Sequence, residues 1–146
     1  FEPGNILKLQ TQLARHKHDR QKQAVIWHNG RHAVTRARVV QPLGNPAVAA
    51  VMDCWLETGR THQIRVHLTH AGHGLIGDPT YGGRRKLSEK AVGEGGRIAA
   101  YTFPRQALHA ATLGFQHPVS KDMRRFEAPM PADMVGLIAA LGGTQG

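Results

Sequence analysis

Residues 57–83 read ETGRTHQIRVHLTHAGHGLIGDPTYGG. Thr58 or Thr61 suits a helix N-cap, and Gly72 suits the position just past a helix end. Between them Ile64, Leu68, Ala71 and Leu75 recur at helical spacing and read as a buried stripe. His62, Arg65 and Thr69 share another face, three and four residues apart. GDPTYGG then makes a tight turn, which Asp78 before Pro79 organises through its own side chain. The stretch reads as a helix between a strand and a turn, with two arginines and four histidines gathered on it.

The fold follows by working outward. Upstream, AVTRARVVQ (33–41) alternates apolar and polar residues as a half-buried strand does. Pro42, Gly44, Asn45 and Pro46 turn the chain, and AVAAVMDCWLE (47–57) returns as a second strand. Downstream, residues 84–104 hold Gly, Lys and Arg without periodicity and read as a long mobile loop. ALHAATLGFQ (107–116) and MRRFEA (123–128) form another hairpin around HPVSKD, closed by Pro129 and Pro131. PADMVGLIAAL (131–141) is a helix with Met134, Leu137, Ile138 and Leu141 on one stripe. The order β-β-α, loop, β-β-α predicts an α+β fold, a mixed or antiparallel sheet flanked by helices, not a doubly wound parallel one. The 146 residues suit one domain.

The charge is lopsided. Nineteen Lys and Arg oppose ten Asp and Glu, for a net of +9. An excess of that size favours a polyanionic partner, most often nucleic acid. Residues 14–38 carry much of it: Arg15, Lys17, Arg20, Lys22, Arg31, Arg36 and Arg38 against Asp19 alone, with His16, His18, His28 and His32 among them. The stretch reads either as a solvated loop or as a phosphate-facing surface. No apolar run reaches the ~18 residues of a spanning helix, so no membrane partner is expected. The single cysteine, Cys54, makes no internal disulfide and sits in an apolar run as a small core residue. A cytoplasmic setting is the expectation.

The residues by themselves complete no active site. His67, His70 and His73 are spaced for a shared helix face, but Gly72 ends the helix before His73, and no Cys or carboxylate cluster joins them. Zinc is therefore disfavoured, and HKHD at 16–19 has the same defect. Ser88 and Ser120 lie in no nucleophile elbow. No P-loop or G-x-G-x-x-G follows a strand. Each of Asp19, Asp53, Asp78, Asp122 and Asp133 has a structural explanation.

A resemblance makes the opening stretch specific. GRTHQIR followed by GDPTYGG is similar to a signature segment of the RluA-type family of ribosomal RNA pseudouridine synthases. RHKHDRQKQAV with GRHAVTRARVV (15–40), RQALHAATLGFQHPVS (105–120) and FEAPMPADM (126–134) resemble further family segments in the right order. The resemblance implies isomerisation of uridine to its C5-linked isomer in large-subunit ribosomal RNA, without cofactor or metal. The target nucleotide is flipped from the stack. An aspartate attacks sugar or base, the glycosidic bond breaks, and the uracil rotates and reattaches through carbon. That aspartate stands in an H-R-L-D segment, and a tyrosine near the target base also lies upstream; neither occurs in this chain. With Phe1 in place of an initiator Met, the expectation is the carboxy-terminal part of one catalytic domain, partnered by a missing amino-terminal half and inactive alone. The resemblance also assigns Arg65 as the partner of the nucleophilic aspartate. A fixed cation beside a carboxylate holds it ionised and aimed. Arg60 and His62 at the helix start, with Arg15, His16 and Arg20 on the adjoining loop, are the expected RNA contacts. His109 stays open between core and contact. The alternative is a basic RNA-binding module with no chemistry of its own.

Overall fold

The computed structural model describes residues 5–19, 22–81, 86–116 and 123–142, with backbone alone at 112–116 and 123–126. Arg20 and the turn at 117–122 lie outside the described residues. Strands β1 (Ile6–Arg15), β2 (Gln23–Ile26), β3 (Arg31–Leu43) and β4 (Ala49–Leu56) precede helices α1 (Gln63–His70) and α2 (Glu89–Thr102). Strands β5 (Thr112–Gln116) and β6 (Met123–Glu127) and helix α3 (Ala132–Ala140) follow. The first four strands form one antiparallel sheet in the order β2-β1-β3-β4, and β5 pairs with β6 separately. The α+β expectation holds.

The β3–β4 hairpin lies where the alternation placed it. A register shift between Val39 and Gln41 leaves Val40 outside the ladder and exposed. Two strands, β1 and β2, stand outside the expected elements. Part of the basic stretch that precedes the expected strand is also sheet: β1 ends at Arg15, β2 carries residues 23–26, and β3 already begins at Arg31. Register puts Lys8, Arg36 and Trp55 side by side, and Ile6, Arg38 and Asp53 beside them. Arg36 pairs with Glu57 at 3.2 Å and Arg38 with Asp53 at 3.3 Å, so two of the expected phosphate-seekers have carboxylate partners within the chain.

The expected loop at 84–104 is mostly helix. Three glycines inside α2 obscure the helical period, and Gly93 breaks the helix with φ 77°. Gly96 has a packing reason: a Cβ there would lie 2.7 Å from the carbonyl oxygen of Ala140, so the small residue lets α2 approach α3 closely. Ala100 and Phe103 join Leu43, Leu137 and Leu141 in one core, on which Val92, Met134 and Ile138 pack. The α3 stripe is as expected.

A second core lies between the sheet and α1, made of Leu13, Ala33, Val66 and Tyr81 with Val25 against them. It mounts α1 on the sheet and sets the position of the site. Cys54 is half-buried, and burial pushes its thiol up to about 11, which leaves it unreactive at neutral pH.

Candidate functional site

Helix α1 starts differently from the expectation. Its N-cap is His62, in the left-handed region at φ 55°, with no side-chain cap. Thr58 serves elsewhere: its Oγ1 accepts from the Val34 amide at 3.0 Å and donates to Gln63 Oε1 at 2.7 Å. Buried Gln63 also accepts from the Arg60 amide and donates through Nε2 to the Val34 carbonyl and Thr35 Oγ1. One side chain thus ties the segment before α1 to the middle of β3. The helix ends as expected. Gly72 adopts φ +88°, its amide donates to Thr69 O, and the His73 amide donates to Leu68 O.

The buried face of α1 is not the expected stripe. Val66 and Leu68 are buried, but so are Gln63, Arg65 and His67, whereas Ile64, Ala71 and Leu75 are half-buried. His67 is 1% exposed, with Thr35 Oγ1 2.7 Å from Nδ1 and Thr11 Oγ1 2.7 Å from Nε2. The arrangement that satisfies every group has Thr35 accepting from Gln63 and donating to Nδ1, while Nε2–H donates to Thr11. Burial, with His70 adding to it, lowers the His67 pKa and keeps the ring neutral.

This makes stability depend on pH. The unfolded chain binds a proton at a free histidine near pH ~6.5, and the folded chain resists it. Stability is fully present above that value and falls as the pH drops below it. The slope is at most about 1.4 kcal/mol per pH unit for each such histidine. The full-length His67→Gln protein should show a shallower loss between pH 7 and 5 in denaturant titrations; equal slopes would contradict the assignment.

Arg65 lies off the expected stripe, on the neighbouring side of α1, and is itself buried. Its Nε donates to Asp78 Oδ2 at 2.9 Å and its Nη2 to Asp78 Oδ1 at 2.8 Å. Its side chain is 11% exposed and that of Asp78 1%. Asp78 also builds its turn, accepting on Oδ1 from the amides of Thr80 and Tyr81. Burial alone would raise its pKa; the hydrogen bonds from Arg65 and the two amides outweigh this and hold it below the usual carboxylate range. The same hydrogen bond raises the Arg65 pKa. The Tyr81 ring lies 5.0 Å from the guanidinium carbon.

Tyr81 links this pair to the sheet. Its hydroxyl accepts from the Gln23 amide at 2.7 Å and lies 2.7 Å from His62 Nδ1. Burial, then the Arg65 charge, lower the His62 pKa, so a neutral ring accepts the Tyr81 hydroxyl proton. His62 therefore adds no charge near neutral pH, and its Nδ1 is already committed. Gln23 pairs with Arg15, so the β1 end and the α1 start share one end of the sheet. Arg15 is exposed there. His16 holds the following turn, its Nδ1 accepting from the amides of His18 and Asp19. Arg60 Nε donates to the His32 carbonyl at 2.9 Å. His62 and Arg65 thus both meet Tyr81, whose hydroxyl reaches the strand that pairs with Arg15, and Arg60 meets the start of β3. His109 is half-buried, with Nε2 3.0 Å from the Ala128 carbonyl. Gln63, Thr35 and Asp78 as a partner for Arg65 were not foreseen. The signal for Asp78 was present: a carboxylate in a turn shortly after a helix that carries an arginine.

No protein-family model matches the chain. Similar proteins exist. The chain is 48% identical over 123 residues to ribosomal large subunit pseudouridine synthase D of Zymomonas mobilis, matching 84% of this chain and 36% of that protein. It is 42% identical over 134 residues to the protein of that name from Neisseria meningitidis, matching 92% of this chain and 34% of the other. The chain therefore spans little more than a third of these relatives' length. In fold it resembles human RNA pseudouridylate synthase domain containing 1, with a TM-score of 0.65 at 22% identity, over 92% of this chain and 52% of that one. The order of the matched segments, the sheet with α1 docked on it and these likenesses agree, and the chain belongs to the RluA-type family of pseudouridine synthases.

Proposed function

We propose that the protein to which this chain belongs isomerises uridine to pseudouridine in large-subunit ribosomal RNA, in the cytoplasm and without a metal or cofactor. The chain is the carboxy-terminal part of its catalytic domain, and the nucleophilic aspartate comes from an amino-terminal part of the same domain. The observation that carries this reading is the Arg65 guanidinium, buried, fixed in orientation by Asp78 and set beside Tyr81, which also meets His62. A guanidinium held in this way suits pairing with a carboxylate whose ionised form attacks the substrate. Arg15, Arg20 and Arg60 contact the RNA backbone, and His16 and His62 contact the RNA beside them.

The direct test follows from the chemistry. Pseudouridine formation replaces the C5–H bond by a C5–C1′ bond, so a C5-tritiated ribosomal RNA substrate releases its label. The full-length protein should release tritium; binding without release would favour the RNA-binding module. For the contacts, Arg15→Ala should weaken RNA binding and lower the slope of log affinity against log salt by about 1. An unchanged slope would remove Arg15 from the interface.

A further inference from the structure

We propose that Asp78 is a positioning residue for the isomerisation: it grips the Nε edge of the Arg65 guanidinium so that the edge formed by Nη1 and the second Nη2–H is left to receive the nucleophilic carboxylate in a single orientation. This rests on the reading of Arg65 given above.

The guanidinium has three nitrogens, and Asp78 takes two of them, Nε at 2.9 Å and Nη2 at 2.8 Å. Among the described residues no acceptor is bonded to Nη1. The grip is rigid because Asp78 is itself held from three directions. The Thr80 and Tyr81 amides donate to its Oδ1, the turn closes with the Asp78 amide donating to Leu75 O, and the residue is buried. Tyr81 lies against the guanidinium and limits its rotation out of plane. Asp78 uses Nε–H and one of the two Nη2–H groups, so a second carboxylate is confined to the remaining edge formed by Nη1 and the other Nη2–H. The Asp78 charge opposes that carboxylate. Its benefit must therefore be geometric, and this separates the proposal from a simple charge effect. Removing the charge alone would help the nucleophile ionise; losing the grip would hurt the reaction.

The test uses the full-length protein on its RNA substrate. Asp78→Asn keeps an oxygen for the Thr80 and Tyr81 amides, so the turn survives, but it turns one acceptor of the fork into a donor. The expected result is a kcat lower by about 100-fold with RNA affinity unchanged, as a small misplacement of a catalytic group produces. Arg65→Lys should also be slow. The double variant Arg65→Lys/Asp78→Asn should be no slower than Arg65→Lys, because an ammonium has no fork to hold.

A wild-type kcat for Asp78→Asn beside an inactive Arg65→Ala overturns this proposal and leaves the Arg65 reading intact. So does a double variant whose loss is the product of the two single losses. A fully active Arg65→Ala overturns the Arg65 reading itself. If Asp78→Asn does not fold, Asp78→Ser, which retains an oxygen for the Thr80 amide, takes its place with the same expectations. Failure of both to fold would overturn a role separable from structure.

Discussion

Arg65→Ala in the full-length protein is expected to lower kcat by about 1,000-fold, the scale on which a preorganised charged group acts in a dry site, while RNA binding persists. The structure adds a complication that the residue pattern alone did not contain. Arg65 is also the partner of a buried carboxylate, and stripping such a group of its cation costs about 3–5 kcal/mol. Lost activity in this variant therefore has two sources, and they are separable. Arg65→Ala/Asp78→Asn removes both charges of the buried pair, so it should recover much of the stability lost by Arg65→Ala and none of the activity. Activity that returned together with stability would show that Arg65 serves the fold alone. Acid should act in the same direction on the single variant. Without Arg65 the Asp78 carboxyl loses the hydrogen bond that depresses its pKa, and protonation relieves the buried charge. Arg65→Ala should accordingly lose less stability than the parent as the pH falls toward 4.

Gly77→Ala is expected to destabilise the protein by about 3 kcal/mol, through overpacking added to backbone strain. Gly77 has φ +77°, and a Cβ there would run into the carbonyl oxygen of Arg105 and lie 3.0 Å from that of Phe103. Both obstacles are backbone, so no side-chain rotation relieves them. Gly72 provides the control. It has a similar φ of +88°, but apart from its chain neighbours no atom of the described residues lies within 4 Å of where a Cβ would stand. Gly72→Ala should cost only the left-handed strain, about 1 kcal/mol. Gly77 immediately precedes Asp78, so its substitution should also slow catalysis, whereas Gly72→Ala should not. Chemical denaturation of the two variants with kcat measured alongside decides it; equal effects at the two glycines would mean that the crossing of the two backbones matters little.

Local patterns were readable where they lay within one element. The β3–β4 hairpin, the Gly72 helix end and the α3 stripe all rest on neighbours in sequence. Strand β1 carries a local pattern of its own, Leu7, Leu9 and Leu13 alternating with Lys8, Gln10 and Gln12, but it stands outside the expected elements. Helix α2 was hidden because its glycines serve a contact with α3 that no local pattern announces.

The sequence by itself determined the family, the α+β class, and Arg65 as the residue to watch, because GRTHQIR and GDPTYGG are contiguous motifs with fixed spacing. Only the tertiary structure decided which groups hold that residue and its helix. Asp78 reaches back 13 positions to Arg65, Gln63 spans 28 to Thr35, and His67 spans 56 to Thr11. Each bond satisfies a polar group that burial has cut off from water. Burial arises when α1 docks on the sheet, so partners that depend on it appear only in the folded chain.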